Sequence, residues 1–185
     1  MVFASLICLI LLNITNYAQS TDWKYYAGDA ASKRYSDGNQ INPESFQHLH
    51  MAWQYTPPDR EIASTFGIGH GANRGTPLKI SDRLYYGSPL GVLCAIDAET
   101  GEEIWSFDPA IWEERPSFLG NSRGIAYWSD GITERIFYGT ANDRLYSVNA
   151  IDGKIDLDFG EGGFVYLLQG SDRPQDPEIT GVTSP

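Results

Sequence analysis

The sequence predicts an all-β protein whose strands form repeated four-stranded antiparallel units. From residue 76 onward, apolar runs of strand length alternate with short turns that contain Gly, Asp or Asn. These runs form two sets of four, and the second set repeats the first at a constant offset of 52 residues (135 − 83 and 153 − 101). The chain also contains 19 Gly, 10 Pro, 11 Tyr and 5 Trp, a composition that favours strands and turns over helices.

A four-stranded repeat of about 40–50 residues is typical of a β-propeller blade. The alternative is a β-sandwich with coincidental internal similarity, but a coincidence does not explain the constant offset. Propellers contain about four to eight blades, and this sequence holds two recognisable sets of strands. It therefore predicts an incomplete β-propeller, and we expect the chain to be the front part of a longer protein whose remaining blades follow it.

The first 18 residues predict a signal peptide. Residues 1–12 read MVFASLICLILL, an apolar run too short to span a bilayer but of the length of a signal-peptide core. A buried N-terminal strand is the alternative. With Ala18 as the last residue before cleavage, we expect a periplasmic or secreted protein, either soluble or associated with the membrane. Cys94 is then the remaining cysteine, and a lone cysteine in a strand pattern is usually a small core residue.

Residues 19–75 are predicted to form an N-terminal strand and loop segment of the propeller. Asn42 followed by Pro43 is typical of the start of a short helical turn. Residues 51–55, MAWQY, indicate a strand. Residues 56–75 are predicted to form a loop, which contains Pro57-Pro58 and the Gly-rich stretch GIGHGANRG at residues 67–75.

The two repeats define the predicted blades. Residues 76–120 form the first, with strands TPLKI, RLYYGS, VLCAID and EEIWSFD, and residues 121–170 form the second, with strands GIAYWS, RIFYGT, RLYSVNA and KIDLDF. In this alignment Phe159 is the counterpart of Phe107. Residues 171–185 are expected to begin a further blade that the chain leaves incomplete.

Net charge argues against a nucleic-acid-binding site, and histidine spacing argues against a histidine-based metal site on a helix. The net charge is −11, from 24 acidic and 13 basic residues. A chain this acidic lacks the basic surface that nucleic-acid binding requires, so we expect no nucleic-acid partner. The three histidines, His48, His50 and His70, do not have the spacing of a metal-binding helix.

The stretch AIDAETGEEIW at residues 95–105 resembles the blade motif of the quinoproteins, eight-bladed propeller dehydrogenases that carry pyrroloquinoline quinone (PQQ). The motif is Ala-x-Asp-x-x-Thr-Gly-x-x-x-Trp, and it matches at Ala95, Asp97, Thr100, Gly101 and Trp105. Its residue types suit a structural turn: Asp97 can bond turn amides, Gly101 can take positive φ, and Trp105 is spaced to pack on a neighbouring blade. Leu157 replaces the tryptophan in the second repeat.

Further segments between residues 22 and 185 are similar to the same enzymes, including the opening DWKYY and the stretches TPLKISDRLYYGSP, NSRGIAYW and EITGVTSP. Arg123 falls on the family's arginine that pairs with a PQQ carboxylate, and Thr183 falls on a threonine that hydrogen-bonds one. A planar, permanently charged guanidinium suits a carboxylate. The alternatives are an arginine that braces a turn between blades and an ordinary strand threonine. Arg74 and His70 are open candidates for cofactor contact or for solvated loop positions.

The resemblance implies an exported PQQ-dependent dehydrogenase that oxidises a glucose-type sugar or an alcohol and passes electrons to a quinone or a cytochrome. It also implies a divalent cation, usually calcium, whose ligands lie with the catalytic aspartate in later blades. No catalytic or metal residue is therefore assigned here, and we expect the fragment alone to be inactive. The alcohol-oxidising branch has two adjacent cysteines before the arginine, but residues 116–122 read PSFLGNS, which favours the sugar branch.

Two alternatives to that function stay open. One is a quinoprotein alcohol dehydrogenase. The other is a non-catalytic propeller scaffold, such as an outer-membrane assembly factor, which would keep the blade motif but would have no reason to keep Arg123.

Overall fold

The computed structural model of the protein describes residues 22–69, 75–114 and 124–167. These residues form two four-stranded antiparallel sheets, and in each sheet the spatial order of the strands follows the chain. This arrangement confirms the prediction of four-stranded antiparallel blades. The first sheet comprises β1 (Leu78–Ile80), β2 (Arg83–Gly87), β3 (Leu93–Asp97) and β4 (Glu103–Phe107). The second comprises β5 (Ile125–Ser129), β6 (Glu134–Gly139), β7 (Arg144–Asn149) and β8 (Phe164–Tyr166).

The strand register confirms the repeat. In the first blade Arg83 lies opposite Asp97, and in the second Arg135 lies opposite Asn149, so both partners move by 52 residues. The inner strands β1 and β5 lie next to each other. The core between the sheets is built from the inward side chains of both blades, which include Tyr85, Leu93, Ala95, Ile136, Tyr138 and Val148.

The fourth strand of the second blade differs from the prediction. Ile155 makes an isolated bridge to Val148, residues 157–163 then leave the sheet, and β8 resumes the pairing with β7. Val165 lies opposite Leu145 as Phe107 lies opposite Leu93, so the offset has grown to 58 (165 − 107).

The alignment of Phe107 with Phe159 is therefore wrong. The excursion is possible because its three glycines, at positions 160, 162 and 163, all have positive φ. Leu157, at the position expected for a clasping tryptophan, is 68% exposed.

Helical segments also occur among the described residues: a 3₁₀ helix (Phe46–His48), α1 (Asp59–Phe66) and α2 (Ile111–Glu114). The predicted turn at Asn42 is present, and the Asn42 side chain accepts hydrogen bonds from the amides of Glu44 and Ser45 at 3.0 and 2.9 Å. Helix α1 lies where a loop was predicted. Residues 51–55, predicted as a strand, pair with no other strand in the part of the chain that the structure describes.

Cys94 is buried in the centre of β3, as expected for a core cysteine. Burial raises the pKa of its thiol to about 12. We therefore expect Cys94 to react very slowly with a thiol reagent such as DTNB at about pH 8, because only the thiolate is nucleophilic. The control is the same protein in guanidinium chloride, with Cys8→Ser as the background. Complete modification of the folded protein within minutes would show that this part of the blade opens readily.

Candidate functional site

Each blade has two ends, which we name by the strands and turns that lie there. The entry end is where the inner strand begins, at β1 in the first blade and at β5 in the second. The clasp end is the opposite one, where the turn between the third and fourth strands lies. Because adjacent strands are antiparallel, the turn after β2 and the end of β4 also lie at the entry end.

At the clasp end, a tryptophan of one unit covers the glycine turn of the next. The Trp53 ring lies on Gly101, and the Trp105 ring lies on Gly153, so closely that an added Cβ would meet ring atoms at 2.5 and 2.7 Å respectively. The indole N–H groups donate to backbone carbonyls of the same turns, Trp53 to Ala98 at 3.3 Å and Trp105 to Ala150 at 3.1 Å. We call this contact the tryptophan clasp.

The predicted packing of Trp105 on a neighbouring blade is therefore correct, and Trp53 performs the same role one step earlier. Sequence reasoning missed that role for Trp53, although the spacing of 52 residues between Trp53 and Trp105 was available as a signal. The clasp is a structural contact, because both indoles are engaged with backbone rather than with an open cavity.

The turn that the clasp covers is built by its own side chains. The Asp97 carboxylate accepts the amides of Thr100 at 2.7 Å and Glu99 at 2.9 Å, and these bonds hold the pKa of Asp97 below its ordinary value. Asn149 accepts the amides of Ile151 and Asp152 in the same way. An Asx turn of this kind fixes the backbone and leaves Asp97 no free role as a base.

The carbonyl of Ala150 receives three donors from the first blade. They are the Tyr85 hydroxyl at 3.0 Å, the Trp105 indole at 3.1 Å and the Arg83 guanidinium at 3.2 Å. Ala150 and Tyr85 are fully or almost fully buried. The clasp end of the joint between the blades is thus held by shielded hydrogen bonds as well as by packing.

The entry end is where the predicted cofactor residues belong in the chain. Arg74 precedes Gly75 and β1, and Arg123 precedes Gly124 and β5. Arg123, Thr183, Arg74 and His70 all lie outside the described residues, so their roles stay predictions. The described strands that follow Arg74 and Arg123 are the inner strands β1 and β5, which lie next to each other.

A groove lies beside the first half of β5. It arises because Trp23 pairs with Lys79 on the edge of β1 that β2 leaves open, through backbone bonds of 2.8 and 3.1 Å. The following turn stands opposite β5 and encloses a groove of about 350 Å³. Its lining combines tyrosines, polar or charged residues and aliphatic residues, and comprises Lys24, Tyr25, Tyr26, Ala27, Asp29, Ala30, Ser32, Ile125, Ala126 and Tyr127. The charged groups of the lining are the Lys24 ammonium, which pairs with Asp22 at 3.3 Å, and the Asp29 carboxylate, so the groove has no excess of positive charge.

Two further residues organise the entry end, and sequence reasoning assigned neither of them. Buried Asp59, at the start of α1, accepts the amide of Leu90 in the turn after β2 at 2.9 Å. Glu114, at the end of α2, contacts the second blade through Arg144 and Asn142. A Pro-Pro-Asp start could have indicated the helix of Asp59, but nothing in the sequence singles out Glu114.

Across residues 22–69, 75–114 and 124–167, no group of three or more His, Cys, Asp or Glu side chains could hold a metal ion. The same three ranges contain no helix with the length and apolar character needed to cross a membrane.

Comparisons with known proteins show what the chain resembles. Residues 23–185 match the family model of the PQQ glucose/ethanol/alcohol dehydrogenase β-propeller domain. Quinoprotein glucose dehydrogenase A of Acinetobacter calcoaceticus is 30% identical, over 88% of this chain and 23% of the relative. Quinohemoprotein alcohol dehydrogenase of Comamonas testosteroni is 32% identical, over 75% of this chain and 18% of the relative.

The crystal structure of the Comamonas testosteroni quinohemoprotein alcohol dehydrogenase superimposes on this one with a TM-score of 0.64 and 28% identity. The match covers 84% of this chain and 21% of that chain. The two described sheets are therefore blades of the same kind of β-propeller. The chain spans about a fifth of the length of these relatives.

Proposed function

Because this chain belongs to the family of PQQ-dependent glucose, ethanol and alcohol dehydrogenases, we propose that it forms part of an enzyme that oxidises a sugar or an alcohol with PQQ. The observation that carries the proposal is the family match over residues 23–185. The compared relatives are also dehydrogenases by name, which favours an enzyme over a propeller scaffold. We assign the activity to a longer protein in which further blades supply the catalytic base and the metal ligands.

The entry end of the two blades is the proposed cofactor end. Arg123 would pair with one PQQ carboxylate, and Thr183 would donate a hydrogen bond to another. The described residues support this role in one respect: β1 and β5, the strands that follow Arg74 and Arg123 in the chain, are neighbours. With a net charge of −11 the chain as a whole repels a tricarboxylate, so a cationic contact is needed for affinity.

When bound, PQQ would supply the redox chemistry, as the acceptor of one hydride equivalent (two electrons and one proton) from the substrate carbon. The residues of this chain hold and orient it. We propose calcium as the divalent cation, with ligands outside this chain, and a quinone or a cytochrome as the electron acceptor. The apolar run at residues 1–12 supports export to the periplasm or the cell exterior.

A glucose-type sugar is our first candidate substrate, because residues 116–122 contain no adjacent cysteines and a glucose dehydrogenase is among the relatives. An alcohol is the second candidate, and the 32% identity to the Comamonas testosteroni alcohol dehydrogenase supports it. Dye reduction by the full-length protein, loaded with PQQ and calcium, distinguishes the two when glucose and ethanol are supplied separately.

The role of Arg123 is tested by PQQ titration of the full-length protein and its Arg123→Ala variant, followed by fluorescence quenching. Loss of a charged hydrogen-bonded pair is expected to raise the Kd for PQQ by about 10- to 100-fold. Arg123→Lys is the matched control and should retain part of the affinity, since it keeps the charge but loses the planar fork. An unchanged Kd in Arg123→Ala would contradict the assignment, and failure of the wild type to bind PQQ would contradict the proposed function.

A further inference from the structure

Helix α2 connects the two blades at the entry end. Its first two residues belong to the first blade, where Ile111 covers Gly91 in the turn after β2. Trp112 is buried, packs against Phe66 at 4.4 Å between ring centroids with the rings tilted by 39°, and donates its indole N–H to Asp108 at 3.1 Å. The start of α2 is thus fixed to the first blade by packing on two sides.

The last residue of α2 reaches the second blade. One carboxylate oxygen of Glu114 accepts from the guanidinium of Arg144 at 2.9 Å, and the other accepts from the side-chain amide of Asn142 at 2.9 Å. Both oxygens of Glu114 are therefore bonded to the segment that leads into β7. The bond from Arg144 joins two charged groups and the bond from Asn142 has a charged acceptor, and hydrogen bonds to ionised groups are stronger than those between neutral groups.

The two partners of Glu114 are themselves oriented. The Asn142 side chain is buried, and its carbonyl oxygen accepts the Thr140 hydroxyl at 2.6 Å. The guanidinium of Arg144 lies over the rings of Phe164 and Tyr166, at 5.0 and 5.5 Å from their centroids. Glu114 therefore meets a preformed site on the second blade, in which little side-chain freedom remains to be lost.

We propose that Glu114 is a positioning residue that sets the separation of the two blades at the entry end. It would thereby align the residues of both blades that contact the cofactor at this end. The proposal rests on the proposed function. The tryptophan clasp holds the joint at the opposite end of the sheets, and apolar packing such as that of Phe107 on Tyr146, 5.5 Å between ring centroids, fills the space between them. Glu114 adds a directional polar contact at the entry end. A cofactor bound by residues from more than one blade needs this separation fixed, because small displacements of binding groups weaken binding sharply.

The test compares Glu114→Gln with a matched pair that lies inside one blade. Asp156 bonds to Arg135 at 3.0 Å within the second blade, and both acids are carboxylates paired with a partly buried arginine. In the full-length protein, Glu114→Gln is expected to raise the Kd for PQQ by about 2- to 30-fold. Asp156→Asn should lower the thermal midpoint to a similar extent and leave that Kd unchanged. PQQ binding is followed by fluorescence at a temperature where every variant is folded.

A second variant and a double variant guard against simple misfolding. Glu114→Asp keeps the charge on a shorter side chain and should give an intermediate Kd. Glu114→Gln combined with Arg144→Met should weaken PQQ binding no more than the stronger single change, because both remove one contact.

If the wild type binds PQQ but Glu114→Gln and Asp156→Asn change the Kd equally, or neither changes it, the positioning role is wrong and the proposed function stands. If the wild type binds no PQQ, both fall.

Discussion

Replacing Trp105 with alanine is expected to lower the free energy of unfolding by about 3–5 kcal/mol, the usual cost of deleting a buried tryptophan. The Trp105 ring is 8% exposed, covers Gly153 and lies 6.0 Å from the Tyr85 ring between centroids. The substitution also removes the hydrogen bond that the indole N–H donates to the Ala150 carbonyl. Denaturant unfolding of the full-length protein, followed by circular dichroism, measures the change.

Two controls separate the parts of this effect. Trp128 lies in β5 and is 44% exposed, so Trp128→Ala should cost much less than Trp105→Ala. Trp105→Phe keeps a ring over Gly153 but removes the N–H, and we expect a loss of about 1–2 kcal/mol for the lost hydrogen bond and volume. Equal losses for Trp105→Ala and Trp128→Ala would show that the clasp does not stabilise the joint between blades.

Gly153→Ala is expected to destabilise the same joint from the other side. Gly153 has φ 72°, and an added Cβ would lie 2.7 Å from the Trp105 ring. The left-handed conformation alone costs a non-glycine residue about 1–2 kcal/mol, and displacing the indole costs about 1–3 kcal/mol more. The thermal midpoint of the full-length protein and its near-ultraviolet circular dichroism, which reports on tryptophan packing, should both change.

Gly131 offers a matched control for that prediction. It also has positive φ, 90°, but an added Cβ would meet no atom within 4 Å. Gly131→Ala therefore carries the conformational cost without the contact with Trp105. If the two substitutions lowered the thermal midpoint equally, backbone strain would explain the whole effect and the fit between Gly153 and Trp105 would contribute nothing measurable.

The repeat, the turns and the register of β2 with β3 could be predicted because they depend on local chemistry. Side chains alternate between the two faces along a strand. An Asp followed four residues later by a Gly between two apolar runs, as at Asp97 and Gly101, predicts a turn. The excursion before β8 could not be predicted by that reasoning, because residues 155–159 alternate as a strand does even though the chain leaves the sheet after Asp156. Local periodicity does not reveal which residues find a partner strand.

The candidate cofactor residues were predicted from resemblance to a family and not from local chemistry. Arg123 and Thr183 came from resemblance to a family, since a lone arginine or threonine carries little information by itself. The bond between Glu114 and Arg144 joins residues 30 apart in the sequence, and the chain has 24 acidic and 13 basic residues to choose from. Only the folded arrangement of α2 against β7 selects this pair, so sequence reasoning had no basis for it.

The tryptophan clasp also defines a rotation. Its two halves are different surfaces, a ring on one unit and a glycine turn on the next, and the contact recurs from Trp53–Gly101 to Trp105–Gly153. Contacts of this head-to-tail type generate either a closed ring or an open helix, depending on the rotation and the translation of each step. The angle at which Trp105 meets the Gly153 turn therefore helps to determine how many blades complete a circle. If a substitution tilted this contact at every repetition, the angular errors would add up around the ring. The sum would appear as a gap or an overlap where the ring closes.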